Sequence, residues 1–303
     1  MQKEEVYIMI KVEEEISTRI DLYLAEKLSI SRSKVQKLIK EDKVLVNGKK
    51  VSANYQIKLN DEIEVNDELN YEINIEPENI PIDIVYEDDD LLVINKKSGM
   101  VVHPAPGHYT KTLVNALLYH FNIESKDKMR PGIVHRLDKD TSGLMLVAKN
   151  EETHDKLAKM IATKEVERHY LAITDGVIKE DSGTIDAPIG RDQNNRQKMQ
   201  VTDVNAKEAV THFKVLKRFK KNTLIECILE TGRTHQIRVH LAYIGYPIVN
   251  DPTYNKGKTT EFGQMLHSKS IKFHHPRTNK ELYFEVEPPQ EFKEKLQELE
   301  SEE

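Results

Sequence analysis

Apolar residues along this chain keep two different rhythms. In RIDLYLAEKL and again in RSKVQKLIK they recur at helical spacing, with Leu24 and Leu28 in the first run and Val35, Leu38 and Ile39 in the second. Ser17 or Thr18 before the first run and Ser31 or Ser33 before the second are candidate N-caps, so two short helices are predicted. The strand VLV then meets Asn47-Gly48, the strongest dipeptide signal for a type I′ hairpin, and KKVSANYQIKLNDEIEV supplies the return strands. The unit reads as a helix pair backed by a small sheet.

From Ile82 strands, turns and helices alternate. IDIVYEDDDLLVINKKSG reads as a hairpin around its acids, and TLVNALLYHF as a helix with Leu113, Leu117 and Phe121 at four-residue spacing. GIVHRLDKDTSGLMLVAK reads as strand, polar loop, strand, after which Asn150 caps a helix carrying Leu157, Met160 and Ile161 on one face. ERHYLAITDGVI, AVTHFKVL and TLIECILE are further strands. Thr234 opens a helix with Ile237, Leu241 and Ile244 inward, closed by Gly245 with Pro247 beyond. No regular βα repeat appears. The prediction is an α+β fold with a mixed, largely antiparallel sheet and flanking helices, rather than a Rossmann or barrel fold. The boundaries follow composition: an N-terminal unit over 1–66, an acidic, proline-bearing linker over 67–81, a larger domain over 82–290 and an acidic tail over 291–303.

Composition narrows the class. The 303 residues, 32% charged and 38% hydrophobic with one cysteine and no tryptophan, describe a globular protein and exclude a disulfide scaffold. No apolar run approaches the roughly 18 residues of a membrane helix, and MQKEEVYIMIKVEEE is acidic where a secretory signal is basic then apolar, so a cytoplasmic location is expected. Cys227 alternates with Ile225 and Leu229 and reads as a buried thiol.

The net charge of −6 conceals a segregated pattern. Residues 27–50 hold eight Lys/Arg against two acids, 51–90 one against 13, 91–280 31 against 20, and the last 23 residues nine glutamates against two lysines. Two basic bodies separated by an acidic connector suit a nucleic-acid binder whose remaining surface stays anionic, although uneven patches also arise in any charge-rich chain. In the second predicted helix Arg32, Gln36 and Lys40 share a face with Lys34 and Lys37 beside it. Alone, such a face is more often solvated surface than an RNA footprint. The order of parts weighs against that: RIDLYLAEKLSISRSKVQKLIKEDKVLVNGKKV resembles the S4 RNA-binding module over about residues 16–66. The resemblance implies that Arg32, Ser33, Lys34, Lys37 and Lys40 contact phosphates of structured RNA, positioning it without reading its sequence.

Several chemistries are poor fits. Gly257-Lys258-Thr259 resembles the end of a P-loop, but Pro252 stands where the first glycine belongs. His235 and His240 are five apart rather than four, and His267, His274 and His275 are dispersed, which disfavours a metal site. No Gly-x-Ser-x-Gly elbow occurs, and Ser142 has no triad order. What remains is His135-Arg136-Leu137-Asp138-Lys139-Asp140-Thr141-Ser142-Gly143, where two carboxylates and two cations crowd a loop at strand ends. Residue types alone favour an ordinary charged turn.

GIVHRLDKDTSGLMLVAK is, however, nearly the defining motif of the RluA/RluD family of pseudouridine synthases. VVHPAPGHYTKTLVNALL, ERHYLAITDG, LETGRTHQIRVHLAYIGYPIVND and LHSKSIKFHHPRTNKELYFEVEPP follow in that family's order, so the resemblance spans most of residues 82–290. It implies the pseudouridine-synthase fold, no metal or organic cofactor, Asp138 as catalytic aspartate, Tyr170 as active-site tyrosine and Arg238 as the arginine paired with the aspartate. Arg136 matches a position that helps displace the target base, and His135 and Thr141 flank the site as candidate substrate contacts.

The implied reaction breaks the N1–C1′ bond of a uridine, turns the uracil over and joins C5 to C1′. That needs a charged carboxylate at the ribose, either as nucleophile or to take the 2′ proton, and a contacting guanidinium holds a carboxylate charged against burial. Tyr170 offers a flat face for stacking uracil and a hydroxyl to relay the C5 proton; as a strand residue it also reads as plain core. The uridine must leave the stack, at a cost of a few kcal/mol, to be reached. Basic stretches at 217–221 and Arg191, Arg196 and Lys198 extend the footprint or are ordinary surface. The expected partner is RNA, foremost large-subunit (23S) ribosomal RNA, with the protein a monomer off the membrane. Transfer RNA as substrate, and a non-catalytic RNA-binding or chaperone role, stay open.

Overall fold

Helical spacing before Lys40 and alternation after it build the first of two compact units, Met1–Asn74 and Ile75–Glu303, in a computed structural model. The structure describes residues 7–13, 18–28, 30–66, 75–104, 109–125, 127, 130–193, 195, 198–257 and 259–302. The first unit contains β1 (Tyr7–Lys11), α1 (Ile20–Lys27), α2 (Arg32–Lys40), β2 (Val44–Val46), β3 (Lys49–Lys50) and β4 (Glu62–Asn66). Its sheet runs β1-β4-β2-β3, antiparallel throughout. Asn47 and Gly48 both have positive φ, 51° and 71°, as a type I′ turn requires. Ile20, Leu24, Val35 and Leu38 pack against Val44, Ile63 and Val65. Ser31 caps α2 by accepting from the Lys34 amide. Ser17 lies outside the described residues, and α1 starts behind Arg19 without a side-chain cap.

The second unit opens with β5 (Ile84–Glu87), β6 (Leu91–Lys96), α3 (Leu113–His120), β7 (Ser142–Ala148) and α4 (Glu151–Ala162). It continues with β8 (Glu167–Asp175), β9 (Ser182–Asp186), β10 (Ile189–Arg191), β11 (Met199–Val201), β12 (Val210–Arg218) and β13 (Asn222–Leu229). It closes with α5 (Gln236–Tyr243), β14 (Leu266–His274), β15 (Glu281–Glu285) and α6 (Gln290–Ser301). Nine strands form one sheet in the order β5-β6-β7-β14-β8-β13-β12-β9, with β15 on β14. Every pairing is antiparallel except β7 with β14. The α+β class with a mixed sheet is therefore what the chain adopts.

β7 is buried along its whole length because both sheet faces are covered. Met145 and Val147 join the core that includes Leu113 and Leu117 of α3, while Leu144, Leu146 and Ala148 face Leu157 of α4. At its start Gly143 has φ 108°, and a Cβ there would lie 2.2 Å from the Ser268 carbonyl oxygen, so only glycine lets the parallel strand approach. The strand expected at Ile133 shrinks to a single bridge with Val147.

Two boundaries differ from the composition reading. Residues 67–74 of the expected linker lie outside the described residues, but Ile75 is buried and the Asn115 side chain of α3 donates to the Glu76 carbonyl, so 75–81 belong to the larger unit. The expected acidic tail is instead the helix α6. Phe292 and Leu299, seven residues apart, are buried on one face while the glutamates stay outside. Cys227 is fully buried, and burial pushes its thiol pKa up.

Candidate active site

The loop before β7 is pinned through its backbone. Leu137 is buried in the core, and the Thr141 amide donates to the Asp138 carbonyl at 3.1 Å. The ammonium of Lys96, at the end of β6, donates to the carbonyls of Lys97, Met100 and Lys139 at 2.8–2.9 Å. Burial pushes its pKa down to about 7, opposed by the carboxylates of Asp138 and Asp140. Ser98 bonds the Asp140 carbonyl, and Gln264 donates to Thr141 Oγ1. With so many backbone groups engaged, the Asp138 side chain projects from a fixed base.

Its partner comes from α5. That helix starts at His235 in the left-handed region, φ 57°, rather than at Thr234. The Gln236 amide ties the start to β12 through the Val210 carbonyl and Thr211 Oγ1, and His240 bonds Thr211 and the Ala187 carbonyl. Arg238 then donates from Nη1 to Asp138 Oδ2 at 2.9 Å. Its Nε and Nη2 grip Asp251 in a bidentate pair at 2.7 and 2.8 Å, and Nη2 also reaches Thr253 Oγ1. Burial works against the Arg238 charge, but Asp251 and Asp138 outweigh it and hold its pKa above the ordinary value.

Asp251 balances Arg238, and Asp138 shares it. The Asp138 side chain keeps 15% exposure, and among the described residues its Oδ1 has no hydrogen-bond donor; His235 Nε2 stands 3.9 Å away. Burial lowers the His235 pKa despite that carboxylate, so the imidazole is neutral at pH 7, and its Nδ1 lies 2.8 Å from the Tyr254 hydroxyl. A carboxylate oxygen without a donor is thus held at the edge of solvent.

Asp138 lines two adjoining hollows. The narrow one, about 50 Å³, is walled by Tyr170, Leu229, Ile237 and Leu266; the other, about 440 Å³, shares Asp138, Tyr170 and Arg136. Tyr170 is 4% exposed, and burial raises its pKa, so its phenol is neutral at physiological pH. Arg136 is exposed at the rim of both.

Residues 90–243 match the family described as RNA pseudouridylate synthase, and residues 18–63 match the S4 domain. The chain belongs to the RNA pseudouridylate synthase family. This synthase is 50% identical over 291 residues to YlyB of Bacillus subtilis, called an uncharacterized RNA pseudouridine synthase, covering 95% of this chain and 96% of that one. It is 42% identical over 295 residues to a protein of Zymomonas mobilis called ribosomal large subunit pseudouridine synthase D, covering 92% and 93%. Among solved structures, human RNA Pseudouridylate Synthase Domain Containing 1 superposes with a TM-score of 0.56 at 28% identity, covering 69% of this chain and 84% of the other.

The fold brings Asp138, Arg238, Tyr170 and Arg136 of the synthase to one place. His135 and Thr141 also border these hollows, from beneath the loop rather than at the rim. Thr141 is buried and engaged by Gln264, and His135 Nε2 accepts the Leu146 amide at 2.9 Å while its Nδ1 is sealed from solvent, because both side chains support the loop from beneath. Asp251, Lys96 and His235 escaped the sequence reading as site residues. A buried arginine calls for a second carboxylate, but nothing in VNDPTY says that Asp251 supplies it.

In the N-terminal unit Ser33, Lys37 and Lys40 are exposed and Lys34 is half-buried. Arg32 differs: with Arg19 and Gln36 it bonds the buried Asp21. Burial alone would raise that carboxyl, yet those three donors hold its pKa at about 2. Arg32 therefore braces α2 against α1 with much of its charge already matched. Of the more peripheral basic residues, Lys217 pairs with Glu300 and Arg218 with Asp181, while Arg196 lies outside the described residues.

Of the histidines considered as metal ligands, His235, His240 and His267 are hydrogen-bonded elsewhere. His275 joins Asp88 and Asp90, but its Nε2 bonds Asp88, its Nδ1 accepts two backbone amides and Arg277 pairs with Asp90 at 2.6 Å. Among the described residues no helix is long and apolar enough to cross a membrane.

Proposed function

We propose that this protein converts specific uridines of large-subunit ribosomal RNA to pseudouridine in the cytoplasm, with Asp138 acting at the ribose of a flipped-out nucleotide. The observation that carries this is the half-satisfied carboxylate: Oδ2 bound by Arg238, Oδ1 open beside the hollow walled by Tyr170. The bidentate Arg238–Asp251 pair keeps the guanidinium in place so that it orients the carboxylate rather than following it. Tyr170 stacks on the uracil and relays the proton lost from C5. Arg136, at the rim, occupies the space the base leaves or holds the displaced strand. Relatives named for the ribosomal large subunit, together with the S4 domain, favour ribosomal over transfer RNA. Lys34, Lys37 and Lys40 of α2 dock structured RNA through its phosphates.

The test is Asp138→Asn, which keeps shape and removes charge. It lowers pseudouridine formation about a thousandfold or more while RNA affinity changes little. Continued modification by this variant refutes the role of Asp138. Mapping pseudouridines in total RNA from cells with and without the protein identifies the RNA, and sites confined to transfer RNA would overturn the ribosomal assignment.

A further inference from the structure

Three Lys/Arg side chains are at least 95% buried among the described residues: Lys96, Arg168 and Arg238. Lys96 has three carbonyl acceptors and Arg238 two carboxylates. Arg168, in β8 two residues before Tyr170 and 3% exposed, has neither. Its Nε and Nη2 are sealed from solvent without an acceptor, and Nη1 lies against the 231–233 turn, where a Cβ on Gly232 would come within 3.1 Å. His135 repeats the pattern. Because its Nε2 accepts the Leu146 amide, the neutral ring carries its proton on Nδ1, and that N–H is enclosed with no partner. Both residues line the 440 Å³ hollow that also holds Asp138 and Tyr170. The neighbouring cations there are already committed: Lys164 pairs with Glu230, and Arg233 donates to the Glu208 carbonyl.

A buried guanidinium with no counter-charge is an arrangement folds rarely keep, because the ion has lost water and gained nothing in return. An RNA strand carries the missing charge at every linkage. We infer that this hollow is a phosphate subsite, in which a backbone phosphate flanking the target uridine supplies the counter-charge of the Arg168 guanidinium, meeting it at Nη1, the guanidinium nitrogen that is not sealed. The inference rests on the reading of Asp138 as the centre that acts on RNA. A neutral base carbonyl would leave the charge unmatched, whereas a phosphate supplies it. Since the hollow adjoins Asp138, a phosphate seated there fixes the backbone beside the sugar on which the carboxylate acts. Arg168 is then a positioning residue for the nucleotide.

The test uses the full-length protein and a stem-loop transcript carrying the uridine that the wild-type protein modifies. Arg168→Met raises KM about 10- to 100-fold, leaves kcat at saturation within about threefold, and flattens the dependence of log(kcat/KM) on log salt by about 0.7 to 0.9, the weight of one phosphate. Arg168→Lys recovers most of the loss in KM. A neutral methylphosphonate placed at each linkage around the target uridine costs wild type as much as the Met substitution does at one linkage, and costs the Met variant nothing more at that position. Without RNA the Met variant melts no lower than wild type, since an unmatched charge has gone. Should it melt lower with KM and salt slope unchanged, Arg168 is structural and the subsite is refuted. Additive losses from the methylphosphonate and the substitution refute it as well. If the Met variant does not fold, Arg168→Lys carries the linkage test: reduced sensitivity at one linkage supports the subsite, and unchanged sensitivity overturns it. Absence of any pseudouridine formation by wild type would instead defeat the reading of Asp138 itself.

Discussion

A carboxylate that is to react must be charged, reachable and incompletely consumed by its own partner. Arg238 is balanced by Asp251, which leaves Asp138 to share one N–H and turn Oδ1 outward. Tyr170 complements it as a neutral ring. With its phenol pKa raised by burial, the hydroxyl cannot act as a pre-formed phenolate, so activity shows no rise toward alkaline pH from this group. Tyr170→Phe retains the stacking face and therefore substrate affinity, but slows the proton-loss step by about a hundredfold or more, measured as kcat against KM on the same transcript. The gathering of Asp138, Tyr170 and Arg238 at one place was legible because each sits in a distinctive string of neighbours. Asp251 and the isolation of Arg168 were not, since the presence or absence of a partner is a property of space. Composition could show that Arg168 is basic, not that it is alone.

At the scale of elements, helical and alternating patterns were read well where one face is buried and the other wet, as in α2, α4 and β13. They failed where charge density masked sparse apolar anchors. The last 23 residues carry nine glutamates, and this weight hid Phe292 and Leu299 on the buried face of α6. Phe292 is fully buried, so Phe292→Ala costs about 3–5 kcal/mol of stability in chemical denaturation, a loss no disordered tail would show. The missing strand before the reactive loop has the opposite cause. Ile133 and Val134 look like strand residues, but only Ile133 finds a bridge, and Asp138 gains a loop rather than a ladder to stand on.

For the molecule as a whole, the segregated charges correspond to a division of labour between a small RNA-binding unit and a larger catalytic one. Removing residues 1–66 weakens binding of structured RNA and lowers its salt dependence, while turnover of a saturating short substrate changes less than about threefold. Unchanged affinity and site choice would refute the docking role.

The seam between β7 and β14 bears on synthesis. It is the sheet's lone parallel pairing, and it joins Gly143 to Ser268 across more than a hundred intervening residues. A ribosome that has made the aspartate loop has not yet made the strand against which that loop takes its shape, nor Gln264, which steadies it. The loop that carries Asp138 therefore takes its final shape only after Gln264 and Ser268 have been added, late in the order in which the polypeptide is made.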